Sequence, residues 1–259
     1  MAFCQPAEVV HTTRVTPGMI RVRLRSVGDW RWHVDGRGDE RVDLAFPWPG
    51  ETHADVEFFN DREYGRASRG EEPPWRHYTV RAVHDDGREI DVDFVVHDGG
   101  LASGWAERTT PGEVLGVFSG GTSRAYHAPP ADTAWQVLVA DATGLPGLAR
   151  IIEELPADVE VHAVVEVPAD ADRQVIPSRA RVSWTWLVGP GGLHSELPAA
   201  VESLTLPDGP GYVWVACEAA AARRVRKHVR EVHGLARDRH RAVGYWTAGT
   251  TGHVEQDRD

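Results

Sequence analysis

The sequence predicts a chain in two parts: a small antiparallel β-barrel, then a parallel α/β sheet. Three observations predict it. Short alternating patterns punctuated by Gly and Pro fill the first half. Residues 127–133, with Pro129 and Pro130, read as a linker. Beyond them, continuous apolar runs alternate with helical stretches, as in a sheet covered on both faces. The division falls between 1–128 and 129–259.

In the first part, 8–13 and 19–24 are strands around the turn Thr16-Pro17-Gly18. Met19, Arg21, Arg23 and Arg25 alternate with Ile20, Val22 and Leu24, a half-buried strand. Residues 42–46 follow, then a further apolar run at 51–60. Residues 77–83 and 90–96 flank the turn Asp85-Asp86-Gly87, and 114–118 follow Pro111-Gly112. One helix is inserted at about 102–108. In the second part the runs 135–140, 160–167, 182–187 and 212–216 are buried strands. Helices are predicted at 147–154 and 218–233, the second stopped by Gly234. The tail 252–259 reads as disordered.

Composition narrows the function. With 41% hydrophobic residues in 259, the chain can bury a core. The net charge of −11 argues against nucleic-acid or anionic-membrane binding. No window has the ~18 apolar residues of a membrane helix, and the N-terminus shows no signal peptide, so a cytoplasmic protein is expected. Lys227 is the only lysine among 28 basic residues, so no phosphate-loop Gly-Lys-Ser/Thr exists. Two cysteines, Cys4 and Cys217, cannot build a Cys4 zinc or iron–sulfur site. His228 and His233, five apart, miss the helical i, i+4 spacing, and no metal site is expected.

Three segments carry candidate chemistry. In Arg76-His77-Tyr78-Thr79-Val80-Arg81, strand alternation puts Arg76, Tyr78 and Val80 on one face and His77, Thr79 and Arg81 on the other. An aromatic wall, a hydroxyl and two cations suit a flavin, its ring edge and its pyrophosphate; a solvated strand is the plain alternative. In His97-Asp98-Gly99-Gly100-Leu101-Ala102-Ser103, a glycine loop enters a helix. The helix-start amides, with Ser103 as a possible cap, would seat phosphate; most such loops are only turns. In Asp141-Ala142-Thr143-Gly144-Leu145-Pro146-Gly147, a strand turns into a helix without a GxGxxG, either beneath a nicotinamide or as an ordinary connection. Glu166 ends the second strand as a ribose ligand or a surface acid.

In this order and spacing the segments resemble the siderophore-interacting protein family, FAD-containing ferric-siderophore reductases of the ferredoxin–NADP reductase superfamily. The resemblance runs over nearly the whole chain. Arg-x-Tyr-Thr-x-Arg is intact at 76–81, and 97–106, Pro111-Gly112-Glu113, 141–147 and Gly244-Tyr245-Trp246-Thr247-Ala248-Gly249 match further family motifs. The departures are a loop shortened by one residue after His97, Asp98 for glycine, Leu101 for proline, Ala142 for glutamate, Cys217 for glycine and Thr247 for arginine.

The resemblance implies an FAD-dependent oxidoreductase that reduces ferric siderophores or related chelates, with electrons from NADPH, NADH or a ferredoxin. It implies FAD contacts from Arg76, His77, Tyr78, Thr79, Val80, Arg81, His97, Ala102, Ser103, Thr143 and Trp246. The nicotinamide would meet Asp141, Thr143, Gly144, Pro146 and Glu218. Arg223, Arg226 and Lys227 would draw in an anionic chelate, or form a solvated helix face. Two rivals stand: a reductase serving a separate oxygenase or carrier protein, and a non-catalytic flavin- or chelate-binding module.

Overall fold

A computed structural model describes residues 3–33, 36–61, 71–119 and 125–250. The chain forms two compact units, 1–36 with 40–125 and 37–39 with 126–259.

The first unit is a closed antiparallel barrel of β1 (Phe3–Thr16), β2 (Met19–Ser26), β3 (Arg41–Ala45), β4 (Trp75–His84), β5 (Glu89–Val95) and β6 (Val114–Ser119), in the order β1-β2-β5-β4-β3-β6. Its interior holds Val9, Val22, Leu24, Leu44, Val80, Val92, Phe94 and Val117. The alternation in β2 has a specific cause. Arg21, Arg23 and Arg25 lie directly opposite Asp93, Asp91 and Glu89 of β5. Each guanidinium meets its carboxylate, with Nε–O distances of 2.6, 2.8 and 2.8 Å. The polar face of the strand is thus a ladder of cross-strand ion pairs. The run at 51–60 forms no strand. It yields the short helix α1 (Val56–Asn60), begun where the Asp55 carboxylate accepts from the Phe58 amide at 3.1 Å. Helix α2 (Leu101–Arg108) sends Trp105 into the barrel, 5.4 Å from the Phe46 ring and 5.5 Å from Phe94.

The second unit is a five-stranded parallel sheet: β7 (Trp135–Asp141), β8 (Glu160–Val167), β9 (Arg181–Val188), β10 (Gly211–Glu218) and β11 (His240–Trp246). Helices α3 (Leu145–Glu154), α4 (Leu197–Glu202) and α5 (Ala219–Glu231) connect them. Strand β7 is buried at every position, as its continuous apolar run requires. Helix α4 and strand β11 were not anticipated, and α5 ends at Glu231 rather than at 233. The order β11-β10-β7-β8-β9 has a consequence for binding. From β7 the chain moves one way through β8 and β9, then returns to the other side of β7 with β10. The switch point therefore lies between the carboxyl ends of β7 and β10, where open α/β sheets bind their ligands. The expected disordered tail, 252–259, lies outside the described residues. No described helix is long and apolar enough to cross a membrane.

Candidate functional site

In the barrel unit, the site is built at one end of β4 and β5. The β4 start is fixed by β3, with Leu44 opposite Arg76, Val42 opposite Tyr78 and Arg41 opposite Thr79. The Tyr78 ring packs 4.4 Å from Phe94 and 6.3 Å from Phe46, so the core holds its inner side. Burial pushes its phenol well above the ordinary range, with only Arg76 acting against it. Arg76 is half-buried and its Nη1 donates to the Trp75 carbonyl at 2.7 Å. Thr79 is buried beside it.

The structure separates the other members of the motif. Val80 is fully inside the barrel. His77 is drawn onto Asp43, with the Trp75 ring 5.2 Å away. The β4–β5 register shifts between Val80 and Ala82, and Arg81 sits at that bulge. Its Nε lies 3.9 Å from Asp93, in the ion-pair ladder. Simple alternation over 76–81 misses this bulge.

The glycine loop follows β5 at the same end. Gly100, not Ser103, is the N-cap of α2, and no side chain caps the helix. The first intrahelical bond runs from Gly104 to the Gly100 carbonyl at 2.9 Å. That leaves the Leu101, Ala102 and Ser103 amides without i−4 partners. The Ser103 hydroxyl does something else. It accepts from the His97 amide at 2.8 Å and donates to the His97 carbonyl at 2.9 Å, closing the loop on itself. Gly99, at φ +73°, has open space where a Cβ would stand. The His97 ring is exposed and packs against Gly100.

In the α/β unit, Asp141 organises the switch point. Its Oδ1 accepts from the Thr143 amide (2.9 Å), the Thr143 hydroxyl (2.6 Å) and the Gly144 amide (3.2 Å). Its Oδ2 accepts from the Glu218 amide (2.9 Å) and the Trp246 indole Nε1 (2.7 Å). One carboxylate thus ties the ends of β7, β10 and β11 together. Burial pushes the Asp141 carboxyl above the ordinary range, opposed by the donors from Thr143, Trp246 and Gly144. Gly144 is required here, since a Cβ would stand 2.0 Å from the Ala216 carbonyl oxygen. Pro146 is buried in the first turn of α3. Glu218 caps α5, its Oε2 accepting from Ala220 (2.6 Å) and Ala221 (3.1 Å).

The structure therefore brings Asp141, Thr143, Gly144, Glu218 and Trp246 together. Arg223, Arg226 and Lys227 stand farther along α5. These lie four, seven and eight residues into α5, about 6, 10 and 12 Å from its start. Lys227 is exposed beside Glu231, at 4.0 Å. Glu166 is no surface acid: it is 2% exposed, and its Oε1 accepts from the Glu196 amide at 3.0 Å. The sequence reading missed Asp39, which accepts from the Tyr126 and His127 amides and the Trp214 indole at 2.9 Å, holding the start of the second unit. Nothing in the pattern around Asp39 signals those distant partners.

The donor set of the barrel unit suits a flavin dinucleotide. A phenol ring is fixed on its inner side, the same strand carries a buried hydroxyl at Thr79 and a guanidinium at Arg76, and a helix start with no i−4 partners for its first amides follows an open glycine turn. Known proteins agree with this reading. The family model of the siderophore-interacting FAD-binding domain matches residues 8–123, and that of the siderophore-interacting protein matches 133–249. The NADPH-dependent ferric-chelate reductase of Escherichia coli is 31% identical over 250 residues, covering 93% of this chain and 91% of that protein. The mycobactin import ATP-binding/permease protein IrtA of Mycobacterium tuberculosis is 29% identical over 94% of this chain, which spans only 26% of its length. The crystal structure of a siderophore utilization protein from T. fusca superposes with a TM-score of 0.81 at 33% identity, over 97% of this chain and 95% of that one. The chain belongs to the siderophore-interacting protein family.

Proposed function

We propose that this chain is an FAD-dependent oxidoreductase that reduces ferric siderophores or related ferric chelates, with electrons from a reduced nicotinamide. The observation that carries the reading is the pairing of a flavin-type donor set at β4 and α2 with a built switch point at Asp141. The E. coli relative, an NADPH-dependent ferric-chelate reductase by name, supports the donor and the acceptor class.

Bound FAD would supply the redox chemistry, taking a hydride from the nicotinamide and releasing single electrons to iron. The protein supplies binding and orientation. Tyr78, fixed by Phe94 and Phe46, offers one ring face to the flavin. Thr79 offers a hydroxyl to the ring edge. Arg76 and the Leu101, Ala102 and Ser103 amides hold the pyrophosphate. We assign Arg76 rather than Arg81 to that task, because Arg81 is buried next to Asp93. Thr143 and Gly144, positioned by Asp141, and Pro146, in the first turn of α3, form the seat of the nicotinamide. Reduction frees the metal because hard oxygen ligands hold ferric iron far more tightly than ferrous iron.

The reaction belongs in the cytoplasm, where the two free, buried thiols Cys4 and Cys217 stay reduced. A ferredoxin is the alternative donor. The test is an absorbance spectrum of the purified protein, then anaerobic addition of NADPH or NADH, then a ferric chelate. Visible flavin bands that bleach with a nicotinamide and return with the chelate are the expected result. Bands that resist both nucleotides point to the ferredoxin. A colourless protein that does not bind added FAD overturns the reading.

A further inference from the structure

Two imidazoles meet at the end of α5 remote from the switch point. His228 lies in the last turn of that helix. The helix ends at Glu231, Gly234 adopts φ +64°, and the Leu235 amide bonds back to the Val229 carbonyl at 3.1 Å. This reversal swings His233 back onto His228. Their Nε2 atoms come to 3.2 Å, with ring centroids 4.9 Å apart and planes at 79°. Both rings are half-exposed, so solutes reach them. The i, i+5 spacing, unsuited to a continuous helix, works because the helix stops between the two residues.

A shared proton can bridge two imidazoles, but 3.2 Å is at the long limit of an ordinary hydrogen bond. The same spacing matches a chelate. Two nitrogens each about 2.0–2.1 Å from a tetrahedral ion lie roughly 3.3 Å apart. Imidazole is the ligand that zinc, nickel, copper and iron share. Two of the cations on this helix are matched by acids. Arg224 is bound by both oxygens of Glu202, at 2.7 and 2.6 Å, and Lys227 adjoins Glu231. No group of three or more His, Cys, Asp or Glu among the described residues is arranged to hold a metal. A metal ion held here would take two ligands from the protein and the rest from water, as in an exchangeable site.

We propose that His228 and His233 form a bidentate surface site for a divalent transition-metal ion, held through both Nε2 atoms. Binding requires each ring to keep its proton on Nδ1, so the proton bridging the two Nε2 atoms is displaced from between them. The site is independent of the flavin reading and is tested without it.

The experiment titrates the untagged full chain with Zn2+ and with Ni2+ by calorimetry, comparing wild type, His228→Gln, His233→Gln and His240→Gln. His240 is a nearby imidazole already bonded to the Ala236 carbonyl, and serves as the control. Each of the first two substitutions is expected to weaken binding by at least about tenfold, since even losing a ligand's supporting partner costs 10–100-fold. The control is expected to leave it unchanged. With Cu2+, electron paramagnetic resonance is expected to show coupling to two imidazole nitrogens in wild type and to one in His233→Gln. Thermal unfolding confirms that the variants fold. Wild type that binds no ion, or binding that survives both substitutions, overturns the proposal.

Discussion

Replacing Asp141 by Asn tests the switch point most directly. The carboxylate accepts five hydrogen bonds, three on Oδ1 and two on Oδ2, and every partner is a donor. An asparagine has one acceptor oxygen. With that oxygen turned to Thr143 and Gly144, its amide NH2 faces the Glu218 amide and the Trp246 indole. The buried Glu218 amide and the half-buried Trp246 indole then lose their partner, at about 1–3 kcal/mol each, or roughly 2–6 kcal/mol in total. For a unit of this size that corresponds to a melting temperature lower by roughly 6–20 °C. Urea unfolding followed by tryptophan fluorescence measures the loss. Anaerobic stopped-flow measures flavin reduction by nicotinamide, which should slow because Thr143 and Gly144 lose their anchor. FAD affinity should stay unchanged, since Tyr78 and α2 belong to the other unit. A variant within about 0.5 kcal/mol of wild type, the range of an ordinary surface substitution, refutes the claim that this carboxylate organises the edge.

Three further outcomes are expected. Gly144→Ala places a Cβ 2.0 Å from the Ala216 carbonyl oxygen, and the forced shift should cost about 3 kcal/mol by denaturant titration. Ser103→Ala removes both hydroxyl bonds to the His97 backbone; about 1–3 kcal/mol of stability should go, and a fluorescence titration should show weaker FAD binding. Burial alone would raise the Asp91 carboxyl, but hydrogen bonds from Arg23 and His84 hold it below its ordinary value of 3.8. Its contribution is therefore present above that value and lost as the pH falls below it, so Asp91→Asn should lower stability at neutral pH by about 1–3 kcal/mol and much less in strong acid.

The fold was legible where one period dominated. The arginine alternation of β2 and the apolar run of β7 each allow one reading, and both strands form as read. Strand β11 escaped because His240-Arg241-Ala242-Val243-Gly244-Tyr245-Trp246 mixes polar and apolar residues without a period; its place is set by parallel pairing with β10. Helix α4 has six residues, too few for a helical period to show. In the site, residue types were readable and roles less so. Ser103 has the chemistry of a cap, yet Gly100 takes that position and the hydroxyl locks His97. Trp246, expected at the flavin, also has a second role that spacing does not show, its indole N–H donating to Asp141. Arg81 is set apart by a bulge that no local pattern announces. These roles depend on contacts between residues far apart in sequence, which spacing does not encode.

The departures from the family pattern fall where this scaffold absorbs them. Asp98 is exposed, so its charge is screened by water rather than buried near a pyrophosphate. Leu101 packs on the barrel core, replacing the rigidity of a proline with apolar contact. Cys217 is fully buried in the core cluster that includes Val215 and Ala221, where it behaves as a small hydrophobe, and burial pushes its thiol well above the ordinary range. Ala142 and Thr247 adjoin Asp141 and Trp246, yet the contacts that fix this edge come from their neighbours: Thr143, Gly144, Glu218 and the Trp246 indole. Each substituted position is thus solvent-facing, core-packed or beside an intact anchor, so the contacts described at β4, α2 and Asp141 stay in place around them. The effect of the substitutions belongs to what approaches those contacts from outside. Under the proposed function, donor and chelate preference are the properties expected to shift with these substitutions.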